Sequence, residues 1–121
     1  MEQRETELWR EAERLVAEHL RRAGFQIVAT NLHVGRLEID IVARRHELIV
    51  VVEVRTRGET AWTRGLSSVD WKKRERIRRA GQRLWNRRYR MDPSAKRLRF
   101  DVASVTFGVS GASVEYVPAA F

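Results

Sequence analysis

The sequence contains no cysteine, which excludes disulfides and thiolate metal sites. Its three histidines, His19, His33 and His46, lack the spacing of a zinc site. No apolar run approaches the roughly 20 residues that a membrane helix needs. The stretch from Met1 to Arg22 is charged throughout and has no apolar segment of the signal-peptide kind. There is no internal repeat and no low-complexity segment. These absences leave the expectation of a cytoplasmic protein with no membrane partner.

The 121 residues suit one domain, 1–121, and a hydrophobic content of 43% is enough for a packed core. Charge is the outstanding excess. The net value is +8 and the pI about 11.1, which favours an anionic partner, nucleic acid before an acidic membrane surface. The excess is local: the segment from Asp70 to Arg90 carries ten Lys and Arg against two acids, so the rest of the chain is close to neutral.

Leu8, Ala12, Leu15, Val16, Leu20 and Ala23 recur at helical spacing, and Gly24 stands where a C-terminal cap belongs. Phe25 to Thr30 reads as a strand, and Asn31 to Gly35 as a turn or loop. Arg36 to Ala43 alternates, with Leu37, Ile39, Ile41 and Ala43 on one face and Glu38, Asp40 and Val42 on the other. Arg44 to Glu47 supplies a tight connection to a second, β-branched strand, Leu48 to Arg55, apolar on both faces and so expected at the centre of a sheet. Thr56 to Leu66 reads as a loop. Ser67 or Ser68 caps a helix expected from about Val69 to Tyr89, with Ile77, Ala80, Leu84 and Trp85 as its buried stripe. After a break around Pro93, Arg97 to Phe107 and Ser113 to Val117 read as two more strands.

Pairing the two central strands across a four-residue loop, with Ala43 opposite Leu48, sets Glu38 across from Glu53 and Asp40 across from Val51. Asp40 then lies diagonal to Glu53, about 7–8 Å away at the backbone. Like charges facing each other destabilise a strand pair, and buried carboxylates are costly unless paired, protonated or bound to metal. Glu38, Asp40 and Glu53 share one face in the most hydrophobic part of the chain. A hard cation such as Mg²⁺ accounts for them, since it takes oxygen ligands. A structural network in which Arg55 pairs with Glu53 and Asp40 accounts for them equally well. Glu13, on the helical stripe of Trp9, Val16 and Leu20, is a further acid within reach if the first helix packs over the hairpin.

The segment G-R-L-E-I-D-I-V-A, followed after a short turn by V-V-V-E-V-R-T-R, resembles the metal motif of the PD-(D/E)XK nuclease superfamily. The chain is most similar to the YraN family of endonuclease-like proteins, related to Holliday-junction resolvases. The likeness covers nearly the whole chain. It includes the Glu13 helix, Ala23 to Phe25, the Asn31 turn, V-D-W-K-K at Val69 to Lys73 and R-F-D-V at Arg99 to Val102. The resemblance implies an α/β, restriction-endonuclease-like core: a mixed central sheet of four to five strands flanked by helices in the order α-β-β-β-α-β-β. It implies that Asp40 and Glu53 bind metal, that Glu13 assists, that Glu38 is an additional acid, and that Arg55 stands at the lysine position. The sequence departs from the motif there, because arginine stays protonated and cannot act as a general base. It departs again at Arg36-Leu37, where a glycine pair is usual.

The expected function is therefore nucleic-acid binding and divalent-metal-dependent endonuclease activity on phosphodiester bonds, with branched DNA as a candidate substrate and Mg²⁺ or Mn²⁺ as cofactor. Asp40, Glu53 and Arg55 form the expected catalytic set and Glu13, Asp40 and Glu53 the metal set, with the backbone carbonyl of Val54 completing the shell. Arg57, Lys72, Lys73, Arg76, Arg79 and Arg83 are the expected phosphate contacts, and Trp62 is a candidate to stack on a base or wedge a junction, although local packing is the commoner role of a loop tryptophan. DNA is preferred to RNA as the partner, and a homodimer is allowed because related resolvases act on two strands. The alternative is a nucleic-acid-binding module that keeps the nuclease fold with weak or no turnover.

Overall fold

A computed structural model describes the backbone of residues 2–58 and 70–121 and the side chains of 6–56 and 71–121. Helix α1 (Glu2–Arg22) leads into strands β1 (Gln26–Val34), β2 (Leu37–Arg45) and β3 (Leu48–Gly58). Helix α2 (Asp70–Leu84) continues into a π-helical turn, Trp85–Tyr89, and strands β4 (Arg97–Gly108) and β5 (Gly111–Val117) complete the chain. The five strands form one mixed sheet in the order β1-β2-β3-β4-β5, with β3 and β4 parallel and every other pair antiparallel. The expected α/β architecture and element order are what the chain adopts. No helix among the described residues is long and apolar enough to cross a membrane.

Two hydrophobic layers sandwich the sheet, as the two-sided apolarity of Leu48 to Val54 requires. On one side Ala12, Val16 and Leu20 of α1 pack on Ile41, Ala43, Val50, Val52 and Val54. On the other, Ile77, Ala80 and Leu84 of α2 pack on Ile39, Val42, Ile49 and Val51. Gly24, with φ of +90°, ends α1: its N–H bonds to the Arg21 carbonyl and the Phe25 N–H to the Leu20 carbonyl, the double closure that a left-handed glycine makes possible. Gly81 serves approach rather than turning. A Cβ there would lie 2.6 Å from the Phe100 ring, so only glycine lets α2 settle on the sheet at this point.

The structure corrects three sequence expectations. The Asn31 to Gly35 segment is strand as far as Val34, not loop: β1 pairs with β2 up to Val34↔Leu37, its register shifts between Ile27 and Ala29, and Asn31 stays in the strand at φ of 49°. The turn is the two residues Gly35 and Arg36. The β2–β3 connection is likewise two residues, His46 and Glu47, with His46 at φ of 55°. The register is therefore Ala43↔Val50 and Ile41↔Val52 rather than Ala43 opposite Leu48. A shift of two keeps every residue on its face but moves its partner. Finally, the face alternation of β2 breaks at Asp40: Leu37 and Ile39 pack on the α2 side, and Ile41 and Ala43 on the α1 side.

Candidate metal centre

The antiparallel ladder between β2 and β3 ends at Ile41↔Val52. Continued by one residue, the register sets Asp40 across from Glu53, and Glu38 is no longer the residue facing Glu53. Past that point the Val54 N–H finds its acceptor in a side chain, donating to Asp40 Oδ2 at 2.8 Å. Asp40 is thus fixed where the strands stop pairing. Burial pushes its carboxyl up to about 6, the nearby charges of Glu53 and Glu13 push the same way, and the Val54 N–H and Lys73 oppose them. The three carboxylates expected to form the metal set are therefore electrostatic neighbours.

Glu53 is only 2% exposed, and two cations reach it. Arg55 Nη2 donates to Oε2 at 3.3 Å, and Lys73 Nζ lies 2.9 Å from Oε1. The lysine makes a charge contact rather than a directed bond, since Oε1 has no hydrogen-bond partner among the described residues. Glu13 accepts from Asn31 Nδ2 at 3.0 Å through Oε1, while its Oε2 is buried and also without a partner among them. Glu13 Oε2, without a hydrogen-bond partner among the described residues, and Glu53 Oε1, met there only by the Lys73 charge, stand with a third carboxyl of raised pKa as a donor set whose chemistry fits a hard cation. Among the described residues, no three His, Asp or Glu side chains converge closely enough to make a ready metal cluster.

The remaining expected residues separate into groups. Glu38 is exposed on β2 and lines a surface cavity rather than the buried acid group. Arg55, only 13% exposed at its side chain, is held within the site, whereas the Lys73 side chain is 54% exposed and open to an incoming anion. Lys72, Lys73, Arg76, Arg79 and Arg83 are all exposed on α2. The side chain of Arg57, the loop Trp62 and the capping serines Ser67 and Ser68 lie outside the described residues.

Sequence reasoning took Lys73 for an ordinary phosphate contact and missed its place on Glu53. A signal was present. Lys73 lies one turn before Ile77 on the stripe that continues through Ala80 and Leu84, the face α2 turns toward the sheet. A lysine on such a stripe needs an anion beneath it. In the sequence Arg36 stands out only as a motif departure, yet in the fold it shares a cavity with Lys73.

Comparison with known proteins gives a single family. Residues 12–105 match the uncharacterised protein family UPF0102. A UPF0102 protein of Sorangium cellulosum is 52% identical over 111 residues, covering 91% of this chain and 77% of its own length. Another, from Desulfitobacterium hafniense, is 41% identical over 101 residues, covering 81% of this chain and 79% of its own. A third, from Porphyromonas gingivalis, is 39% identical over 102 residues, covering 84% and 73%. The matched region contains α1 from Ala12, the whole β2–β3 hairpin and α2, so every described residue of the candidate centre falls inside it, and the chain belongs to the UPF0102 family.

Proposed function

We propose that this protein is a divalent-metal-dependent endonuclease that hydrolyses phosphodiester bonds, acting on DNA and in particular on branched DNA. The observation that carries the reading is the group of Asp40, Glu53 and Glu13 at the end of the β2–β3 ladder. Two of its buried oxygens lack a hydrogen-bond partner among the described residues, and a lysine of the basic helix sits on Glu53. The resemblance of the hairpin to the PD-(D/E)XK motif and to YraN-like nucleases supports the same reading.

Asp40 and Glu53 would hold Mg²⁺ or Mn²⁺, with Glu13 assisting. Such an ion, when bound, lowers the pKa of its water and polarises a phosphoryl oxygen. The chain's own cations offset charge on the phosphate: Lys73 from the open side and Arg55 from within, where its first task is to hold Glu53 in place. The exposed cations of α2 supply phosphate contacts that do not depend on base sequence, so binding should fall steeply with salt. A cytoplasmic location suits this activity, and two copies acting together would suit paired cuts at a junction.

The test is cleavage of branched and linear DNA with Mg²⁺ or Mn²⁺, comparing wild type with Asp40→Asn. Loss of a metal contact worth several kcal/mol lowers the rate roughly a thousandfold, at about 1.4 kcal/mol per tenfold. One observation favours a second reading, a binding module with weak turnover: the lysine position of the motif holds Arg55, and that arginine is bound to Glu53. Salt-sensitive binding by wild type without any cleavage would select that second reading.

A further inference from the structure

Beside the carboxylates, the turn between β1 and β2 faces the first turns of α2 across a cavity of about 190 Å³ lined by Arg36, Leu37, Glu38, Lys73, Arg76 and Ile77. At about 30 Å³ per water, that is room for one phosphate group and a few waters. Three of the six lining residues are cations and one is an acid. Leu37 and Ile77 join the core below and fix the walls. Arg83 comes close to the turn: its Nη1 would lie only 3.2 Å from a Cβ placed on Gly35.

Two of the three cations are not spent on internal pairs among the described residues. Lys73 is engaged with Glu53, but neither Arg36 nor Arg76 has an ion-pair partner among the described residues. Two guanidinium groups and an ammonium kept together repel one another, and that repulsion is relieved by an anion. The shape of the surroundings favours a polymer over a small ion. Arg76 also lines the neighbouring cavity of Trp71, Lys72, Glu75 and Arg79, so the cationic surface runs on along α2. Trp71 is 59% exposed on that track. Glu38 in the cavity weakens its hold on a free anion, which leaves a strand anchored at several points as the better ligand.

We propose that this cavity is a phosphate subsite, in which Arg36 and Arg76 grip the backbone phosphate next to the one that would be cleaved at the Asp40–Glu53 centre, with Lys73 shared between the two positions. The subsite rests on the nuclease reading for its register, but its ligand is bound without turnover. It can therefore be tested with metal removed.

The experiment is fluorescence anisotropy in EDTA with a short labelled DNA duplex, and with an RNA of the same sequence, across a series of salt concentrations. Arg36→Gln and Arg76→Gln should each weaken binding about three- to tenfold and lower the slope of log K against log salt by about one, the mark of one lost phosphate contact. Arg22→Gln, on the exposed end of α1, should change neither. Thermal melts of each variant check the fold. The same pattern on RNA alone supports the subsite and identifies the strand as RNA. Unchanged affinity and slope in both variants, with wild type binding normally, overturn the subsite and leave the nuclease reading intact. If wild type binds neither polymer at low salt, the subsite falls, and cleavage by wild type against Asp40→Asn decides the nuclease reading separately.

Discussion

Asp101 on β4 and Glu53 on β3 are one step apart in a parallel register, where Val52 pairs with Asp101 and Glu53 with Val102. Both are buried, at 0% and 2% exposure, yet their surroundings differ. Asp101 accepts four hydrogen bonds: two from the fork of Arg99 at 2.8 Å each, one from the Tyr116 hydroxyl, and one from the Ala119 N–H at 2.8 Å. Glu53 has one long bond from Arg55 and a skewed contact with Lys73, and its neighbour Asp40 has one backbone bond. Burial of an acid therefore does not mark a functional site. What separates the two is whether the folded chain has already supplied everything the carboxylate can accept. Asp101 is a completed joint that ties the C-terminal segment to the sheet, and the Asp40–Glu53 group still has oxygens to offer.

The comparison can be broken most forcefully at the completed joint. Asp101→Ala leaves the Arg99 guanidinium, the Tyr116 hydroxyl and the Ala119 N–H without their acceptor. Removing one member of a buried ion pair costs about 3–5 kcal/mol. At several degrees per kcal/mol for a domain of this size, the melting temperature should fall by more than about 10 °C. Metal-dependent cleavage, measured well below that temperature, should be retained. A variant melting within a degree or two of wild type would show that Asp101 is not the anchor its bonds describe.

The contrast also explains how much could be read from the residues alone. Helical spacing, the cap at Gly24 and the two-sided apolar strand at Leu48 to Val54 all reflect short-range chemistry, and they led to the correct order of elements. The register of the central hairpin did not, because His46 adopts a left-handed turn conformation that the sequence H-E does not advertise. The register differs by two residues, which changes the partner of Asp40, and the break in alternation at Asp40 takes Glu38 out of the acid group. Lys73 on Glu53 and Arg36 beside Lys73 depend on how α2 lies over the sheet, a long-range fact helped by the close approach that Gly81 allows to Phe100. The role of Asp101 was hidden for the same reason: its partners come from β4, β5 and the C-terminal segment together.

The second way to sharpen the comparison is Asp40→Asn in metal-free protein. The carboxyl lies at about 6 in the fold against an ordinary 3.8, with burial as the main cause. Folding therefore favours the protonated form. The stability that this contributes is fully present below the unfolded value and is lost as pH rises through about 6. Asparagine keeps an oxygen to accept the Val54 N–H and has no charge to desolvate. At about pH 8 in EDTA the variant should be more stable than wild type by on the order of 2 kcal/mol, and the difference should shrink as pH falls toward about 4. Thermal melts across that range give the measurement. Mg²⁺ should then stabilise wild type and leave the variant unchanged. A variant less stable than wild type at every pH would put Asp40 in the same class as Asp101, a structural acid.

The smallest effect separates the two classes by their pH dependence. Tyr116→Phe removes one of the four bonds to Asp101 and leaves the other three, so about 1 kcal/mol of stability is lost. The ring still stacks on His19, with centroids 5.2 Å apart, so its packing is kept. Burial, and then the bond to Asp101, push the phenol far above its ordinary pKa, which keeps it a donor well into the alkaline range. The loss in Tyr116→Phe should therefore be the same at about pH 6 and about pH 9, whereas the Asp40→Asn difference grows chiefly between about pH 4 and about pH 6. Ultraviolet titration of wild type should show one tyrosine resisting ionisation, and the variant should lack it. If the Tyr116→Phe loss instead vanishes as pH rises, the hydroxyl is ionising and can no longer donate. The joint around Asp101 would then be as incomplete as the centre around Glu53, and the distinction between them would not hold.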